Sequence, residues 1–159
     1  MSYYGRFMIK SLRQMFRVVL LSLTTLTVLG VQEVSAKDLS KAEITCLTRN
    51  AYFEARNQGD KGILATVFVV LNRTKDPRFP SSTCKVISQP SQFSWWGKGK
   101  VVKDHKTYKE IEKLVVEAVA GKHRDITRGS THFHTTKVKP SWRNNLTRTV
   151  KIGDHVFYK

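Results

Sequence analysis

One carboxylate placed at the rim of an apolar helical stripe is the first residue that suggests chemistry. Ile44, Leu47, Ala51, Tyr52 and Ala55 recur at helical spacing, and Glu54 falls among them. At about 100° per residue it lies near the line of Leu47, roughly 70° from the centre of the stripe. A carboxyl group there is partly desolvated, which raises its pKa and keeps a proton on it near neutral pH. A general acid that protonates a glycosidic oxygen needs that proton. Arg56 is close enough in the chain to pair with Glu54 instead, so spacing alone leaves an ordinary helical ion pair open.

A second group is Gln92-Phe93-Ser94-Trp95-Trp96, which gathers amide, hydroxyl and aromatic side chains. Sugars carry hydroxyls on their edges and C–H groups on their faces, so a groove that holds them needs this mixture. Phe93 and one Trp are equally well explained as packing under a long loop, whereas Gln92 and Ser94 are not. His132 and His134 form an H-x-H pair on one side of a strand. They suit hydrogen bonding in a groove, or a metal site if further ligands join them from His105, His123, His155 or loose carboxylates. Glycosidases of the usual kinds need a second carboxylate at a set distance from the first. Asp60 and Asp76 are nearest in sequence, but Asp60 reads as a helix cap and Asp76 as part of an Asp-Pro turn. A lone acid favours the lytic transglycosylase route. There one Glu protonates the leaving oxygen and then, as base, helps the sugar's own 6-hydroxyl attack the anomeric carbon.

The elements that would position these residues can be read from capping and periodicity. Ser40-Lys41-Ala42-Glu43 is a capping box, and the first helix is expected from about Lys41 to Arg56. Asn57-Gln58-Gly59-Asp60 is a turn whose Asp60 is expected to cap a second, buried helix carrying Leu64, Val67, Phe68 and Leu71. From Asn72 to about Lys103 periodicity vanishes and Pro77, Pro80, Pro90, Gly97 and Gly99 mark a long irregular stretch. Asp104 is expected to cap a third helix through Tyr108, Ile111, Val115, Ala118 and Val119 to a stop at Gly121. Thr131–Thr135, Thr147–Ile152 and His155–Tyr158 read as strands, the last two flanking the hairpin signal Gly153-Asp154. The expected class is α+β, helices first, with a long active-site loop and a small antiparallel sheet at the C-terminus.

Lys and Arg outnumber Asp and Glu by 28 to 12 in 159 residues, without a block that would mark a nucleic-acid arm, so the surface should attract anionic polymers of any kind. Arg6, Lys10, Arg13 and Arg17, the apolar run Val18–Val31 and Val34-Ser35-Ala36 read as a secretory signal over residues 1–36. A retained anchor is the alternative, although the run is short of the roughly 20 residues a spanning helix needs. Residues 37–159 then carry 24 basic and 11 acidic side chains, a net charge of +13. Export to the periplasm or the outer wall limits membrane contact to the signal and removes the chain from nucleic acid, for which no recognition motif is present. It also places Cys46 and Cys84 where they can form a disulfide.

Taken in order, several segments closely resemble the SleB-type cell wall hydrolases, the spore-cortex-lytic enzymes and their relatives. They are Ala51-Tyr52-Phe53-Glu54-Ala55-Arg56, Val70-Leu71-Asn72-Arg73, Asp76-Pro77-Arg78-Phe79-Pro80, Gln92-Phe93-Ser94-Trp95, Thr131-His132-Phe133-His134, Pro140-Ser141-Trp142 and Ile152-Gly153-Asp154-His155-Val156-Phe157-Tyr158. The resemblance implies a lysozyme-like catalytic domain over residues 37–159. It would cleave peptidoglycan glycan strands between N-acetylmuramic acid and N-acetylglucosamine, with Glu54 of the Tyr-x-Glu-Ala-Arg motif as catalytic acid. Tyr52, Gln92, Phe93, Ser94, Trp95, His132, His134 and Tyr158 are the residues expected to bind the strand, in a monomer without cofactor. Many relatives carry further cysteines near the Gln-Phe-Ser segment or a separate wall-binding module; this chain has Trp96 there, and wall affinity is expected from the catalytic domain itself. Two other readings compete. One is an N-acetylmuramoyl-L-alanine amidase with metal at the histidines, and the other is a cationic wall- or membrane-binding protein, which leaves Glu54, Gln92 and Ser94 without a purpose. Size and charge suit a phage lysin and a bacterial housekeeping enzyme alike.

Overall fold

A computed structural model describes residues 39–159. The expected export signal, residues 1–36, and the expected mature start near Lys37 lie outside the described residues. Helix α1 spans Lys41–Ala55 and opens with the expected capping box: the Glu43 amide donates to Ser40 Oγ, and the Glu43 carboxylate accepts from the Ser40 amide. It buries Leu47, Ala51, Tyr52 and Ala55 together with two polar residues, Thr48 and Asn50.

Helix α2, Gly59–Lys75, corrects the expectation for Asp60. The chain turns at Gly59, whose φ of 64° suits glycine, so Asp60 already lies in the first helical turn. The cap position falls on Gln58, which makes no capping bond and instead reaches the far end of the chain. Its Nε2 donates to Asp154 Oδ2 at 3.2 Å and its Oε1 accepts from the Asp154 amide at 3.0 Å. From Gly62 to Val70 every residue of α2 is buried, as the nearly all-apolar sequence requires.

The stretch expected to be irregular from Asn72 is shorter than its composition suggests. Helix α2 runs on to Lys75, because Asn72 and Arg73 find partners across the fold: Asn72 Nδ2 donates to Asp125 and the Ser130 carbonyl, and Arg73 Nε to the Thr131 carbonyl at 2.6 Å. A further helix, α3, covers Thr83–Ile87 and buries Val86 and Ile87. Five residues are too few to leave a periodic signal. Cys84 on α3 is joined to Cys46 on α1 by the expected disulfide. Helix α4, His105–Val119, starts where Asp104 Oδ1 accepts from the Thr107 amide, as expected, and ends before Gly121 at a φ of 75°.

Strands β1 (His132–Thr135), β2 (Arg148–Ile152) and β3 (His155–Tyr158) form one antiparallel sheet in the order β1-β3-β2. The β2–β3 hairpin turns at Gly153-Asp154 with Ile152 opposite His155, and β1 pairs with β3 so that His132 faces Tyr158. The central strand is fully buried. Phe157 packs on Ala65 and Val69 of α2, while the larger core lies among α1, α2, α3 and α4 around Leu47, Val67, Ile87 and Ile111. The fold is therefore α+β, with a helical body, a loop from Ser88 to Asp104, and a small sheet docked on α2. Among the described residues no helix is long and apolar enough to cross a membrane.

Candidate active site

Glu54 stands in the last turn of α1, half-buried, one turn before Gln58, the residue that ties α1 to the β2–β3 turn. The ion-pair alternative does not hold: the Arg56 guanidinium lies over the Tyr52 ring at 5.0 Å and donates to the Tyr52 carbonyl. Among the described residues Glu54 makes no ion pair. Burial raises its pKa above the ordinary carboxylate value, and the charge of Lys100 acts weakly the other way. A carboxyl group without an ion-pair partner, whose proton burial favours, is suited to donate a proton.

The wall beside this turn is built from the loop. Trp95, 3% exposed, donates its indole N–H to Asn50 Oδ1 at 3.1 Å and stacks on Phe53 at 4.8 Å. Phe93, 5% exposed, packs in the same core, with the Arg73 guanidinium 5.6 Å from its ring. Both residues support the loop from below, while Gln92 before them and Ser94 between them face solvent, as does Trp96, which is 41% exposed. Tyr52 is buried too, and its hydroxyl accepts from the Asp104 amide at 3.2 Å, fixing the start of α4. Asn50 is the member of this wall that the sequence did not single out. It sits at the edge of the apolar stripe, and nothing in periodicity separates a buried amide from a surface one.

On the sheet side His132, His134 and Tyr158 come together as expected, and Trp142 joins them from a short 3-10 helix, Ser141–Asn145. Trp142 lies 5.5 Å from His132, 5.7 Å from His134 and 5.6 Å from Tyr158, ring centre to ring centre. His134 Nδ1 donates to the Thr135 carbonyl at 2.8 Å, and Nε2 lies 3.0 Å from the Tyr158 hydroxyl. Burial, and then the nearby Arg73 and Arg78, lower the pKa of His132. Arg73 is itself desolvated, its pKa lowered to about 10. Trp142 carried no chemical signal of its own beyond its place in the Pro140-Ser141-Trp142 segment.

Neither acidic candidate near Glu54 in sequence is placed as a ready partner. Asp76 is clasped by Arg78 through both carboxylate oxygens, at 3.0 and 2.6 Å, which lowers its pKa to about 2. Asp60 is exposed on the first turn of α2. Among the described residues no three His, Cys, Asp or Glu side chains are grouped as metal ligands.

The family model described as Cell Wall Hydrolase matches residues 57–158, a span that begins three residues after Glu54. The spore cortex-lytic enzymes of Halalkalibacterium halodurans and Bacillus subtilis are each 28% identical over 120 residues, or 74% of this chain. The chain spans only 35% and 38% of the length of these two relatives. Among solved structures, the catalytic domain of the Bacillus cereus SleB protein superposes with a TM-score of 0.67 at 26% identity, covering 77% of this chain and 94% of that one. The catalytic domain of the germination-specific lytic transglycosylase SleB from Bacillus anthracis gives 0.66 at 25% identity, covering 77% and 98%. The lysozyme-like α+β fold expected from the sequence is the fold of these domains.

Proposed function

The chain belongs to the cell wall hydrolase family, and from that premise we propose that it is an exported lytic transglycosylase that cuts peptidoglycan glycan strands between N-acetylmuramic acid and N-acetylglucosamine. The observation that carries the reading is Glu54: half-buried, unpaired among the described residues, and with its pKa raised by burial. Glu54 protonates the glycosidic oxygen as the bond to the anomeric carbon breaks. The resulting carboxylate then takes the proton of the muramic acid 6-hydroxyl while that oxygen closes on the anomeric carbon, giving a 1,6-anhydro end without water. No second carboxylate is required, which agrees with Asp76 being locked to Arg78. The Bacillus anthracis neighbour is a germination-specific lytic transglycosylase, and its likeness to this chain supports the same route.

Gln92 and Ser94 present polar groups from the loop, and the half-buried His132 and Trp142 form an aromatic and hydrogen-bonding surface on the sheet, with the buried His134 and Tyr158 packed against Trp142. These supply the hydroxyl partners and ring faces that a glycan strand needs, with Phe93, Trp95 and Tyr52 holding the wall in shape. Export through residues 1–36 delivers the enzyme to the wall; N-terminal sequencing of exported protein should start near Lys37. The direct test is the clearing of purified sacculi. Wild type should clear them in the presence of chelator, and Glu54→Gln should not. Loss of activity in chelator would return the reading to a metal-dependent amidase at the histidines.

A further inference from the structure

Around α1 from Glu54 the loop after α3 leaves two hollows side by side. One, of about 510 Å³, is lined by Tyr52, Phe53, Arg56, Lys98, Lys100 and Lys103 among others. The other, of about 300 Å³, is lined by Arg49, Trp95 and Trp96, and the two share Gly99 and Lys100. Glu54 lines neither. Phe53 and Arg56 point roughly 100° and 160° away from it around the helix, so the hollows open on a different face. The content of this groove is lopsided: five basic side chains, four aromatic ones and no carboxylate.

The cations are also unused. Among the described residues none of Arg49, Arg56, Lys98, Lys100 and Lys103 pairs with a carboxylate. Two of them are held in place without being neutralised. Arg56 lies over the Tyr52 ring, and Arg49 lies 5.7 Å from the Trp95 ring and donates from Nη2 to the Lys100 carbonyl at 3.3 Å. Arg49 Nε is buried with no acceptor, and a buried donor left unmatched is unfavourable unless a ligand or water supplies the acceptor. Guanidinium groups pre-set on the buried Tyr52 and Trp95 rings, with lysines in the same lining and Trp96 exposed, suit carboxylates carried on a glycan strand: the cations take the acids and Trp96 offers a ring to a C–H face.

We propose that this groove is a second binding site, for the carboxylate-bearing peptide stems of the peptidoglycan strand, beside the face that holds Glu54. The inference rests on the chain acting on peptidoglycan. It goes further by naming what the strand must carry, free stem carboxylates, and where they dock. Lys100 joins the two regions, since it lines both hollows and its charge also reaches Glu54.

The test uses the full chain carrying Glu54→Gln, so that binding is read without cleavage, with co-sedimentation on sacculi stripped of teichoic acid. Lys98→Gln with Lys103→Gln is compared with Lys122→Gln with Arg124→Gln. The second pair is exposed beyond the other end of α4, a 15-residue helix about 22 Å long. The groove pair should raise the half-saturation concentration roughly tenfold and the remote pair less than twofold. Amidation of the stem carboxylates should abolish the difference between the pairs. Equal losses in both pairs would overturn the inference and leave only general attraction by net charge. A difference that survives amidation would overturn it as well, as would one seen only on sacculi that keep teichoic acid, where phosphodiesters would be the ligand. Wild-type protein that releases no glycan product would sink the proposed reaction and leave this binding comparison readable.

Discussion

Replacing Glu54 with Gln should make the protein more stable at neutral pH, not less, because the price of a ready acid is a charge held away from water. Burial raises the folded pKa of Glu54 above its unfolded value of 4.5. A raised folded pKa contributes stability that is complete below the unfolded value and is lost as pH rises through the folded one. Above both values, each unit of displacement costs the folded state about 1.4 kcal/mol, reduced where solvent reaches the exposed edge of the carboxylate. A domain of about 120 residues unfolds with an entropy of roughly 0.25 kcal/mol/K, so one unit corresponds to about 5 °C in Tm. Gln keeps the shape and removes the titration. Thermal unfolding of wild type and Glu54→Gln from pH 3.5 to 8 should therefore give matching Tm values at the acid end, with the variant ahead at pH 7 and the gap opening as pH rises. A variant that is less stable at pH 7, or a difference that does not change with pH, would refute the claim that desolvation tunes this acid.

Other consequences are independent of Glu54. Reducing the Cys46–Cys84 bond, which closes a loop of sequence separation 38, should cost about 4 kcal/mol on the chain-entropy relation and about 15 °C in Tm; an unchanged melting curve in reductant would contradict this. Asn50→Ala leaves the buried Trp95 indole N–H without its acceptor, so a loss of about 1–3 kcal/mol is expected, with faster proteolysis in the Ser88–Asp104 loop as the readout. His155 is 3% exposed and its pKa is lowered first by burial. Its contribution to stability is therefore present above the unfolded value near 6.5 and lost as pH falls below it. Urea unfolding at pH 7.5 and pH 5 should show a smaller acid loss in His155→Phe than in wild type.

The sequence carried the parts of this fold that repeat or punctuate. The capping box at Ser40, the cap at Asp104 and the Gly153-Asp154 hairpin each depend on a few adjacent residues, and each lies where the pattern placed it. Long-range pairing is what it could not carry. Gln58 gives up capping α2 to hold Asp154, 96 residues away, and Asn72 and Arg73 extend α2 by bonding to residues 125–131. The short helix α3 has too few turns for a period, and its position follows from the link to Cys46. In the candidate site the residue types were legible and their exposure was not. Phe93 and Trp95 differ from Trp96 only in which way the loop turns them, and Asn50 and Trp142 take their meaning from neighbours distant in the chain.

The central claim is that Glu54 alone breaks the glycosidic bond and closes the anhydro ring. Mass spectrometry of the soluble products from purified peptidoglycan, digested by wild type and by Glu54→Gln, tests bond, route and residue in one measurement. Wild type should yield muropeptides with 1,6-anhydromuramyl ends, and the Gln variant should yield none while remaining folded. Reducing ends in the wild-type digest would contradict the single-acid route and point to a partner carboxylate, with Asp60 and Asp76 the first to replace. Undiminished cleavage by the variant, or free L-alanine amino groups in place of cut glycan, would contradict the assignment of Glu54 itself.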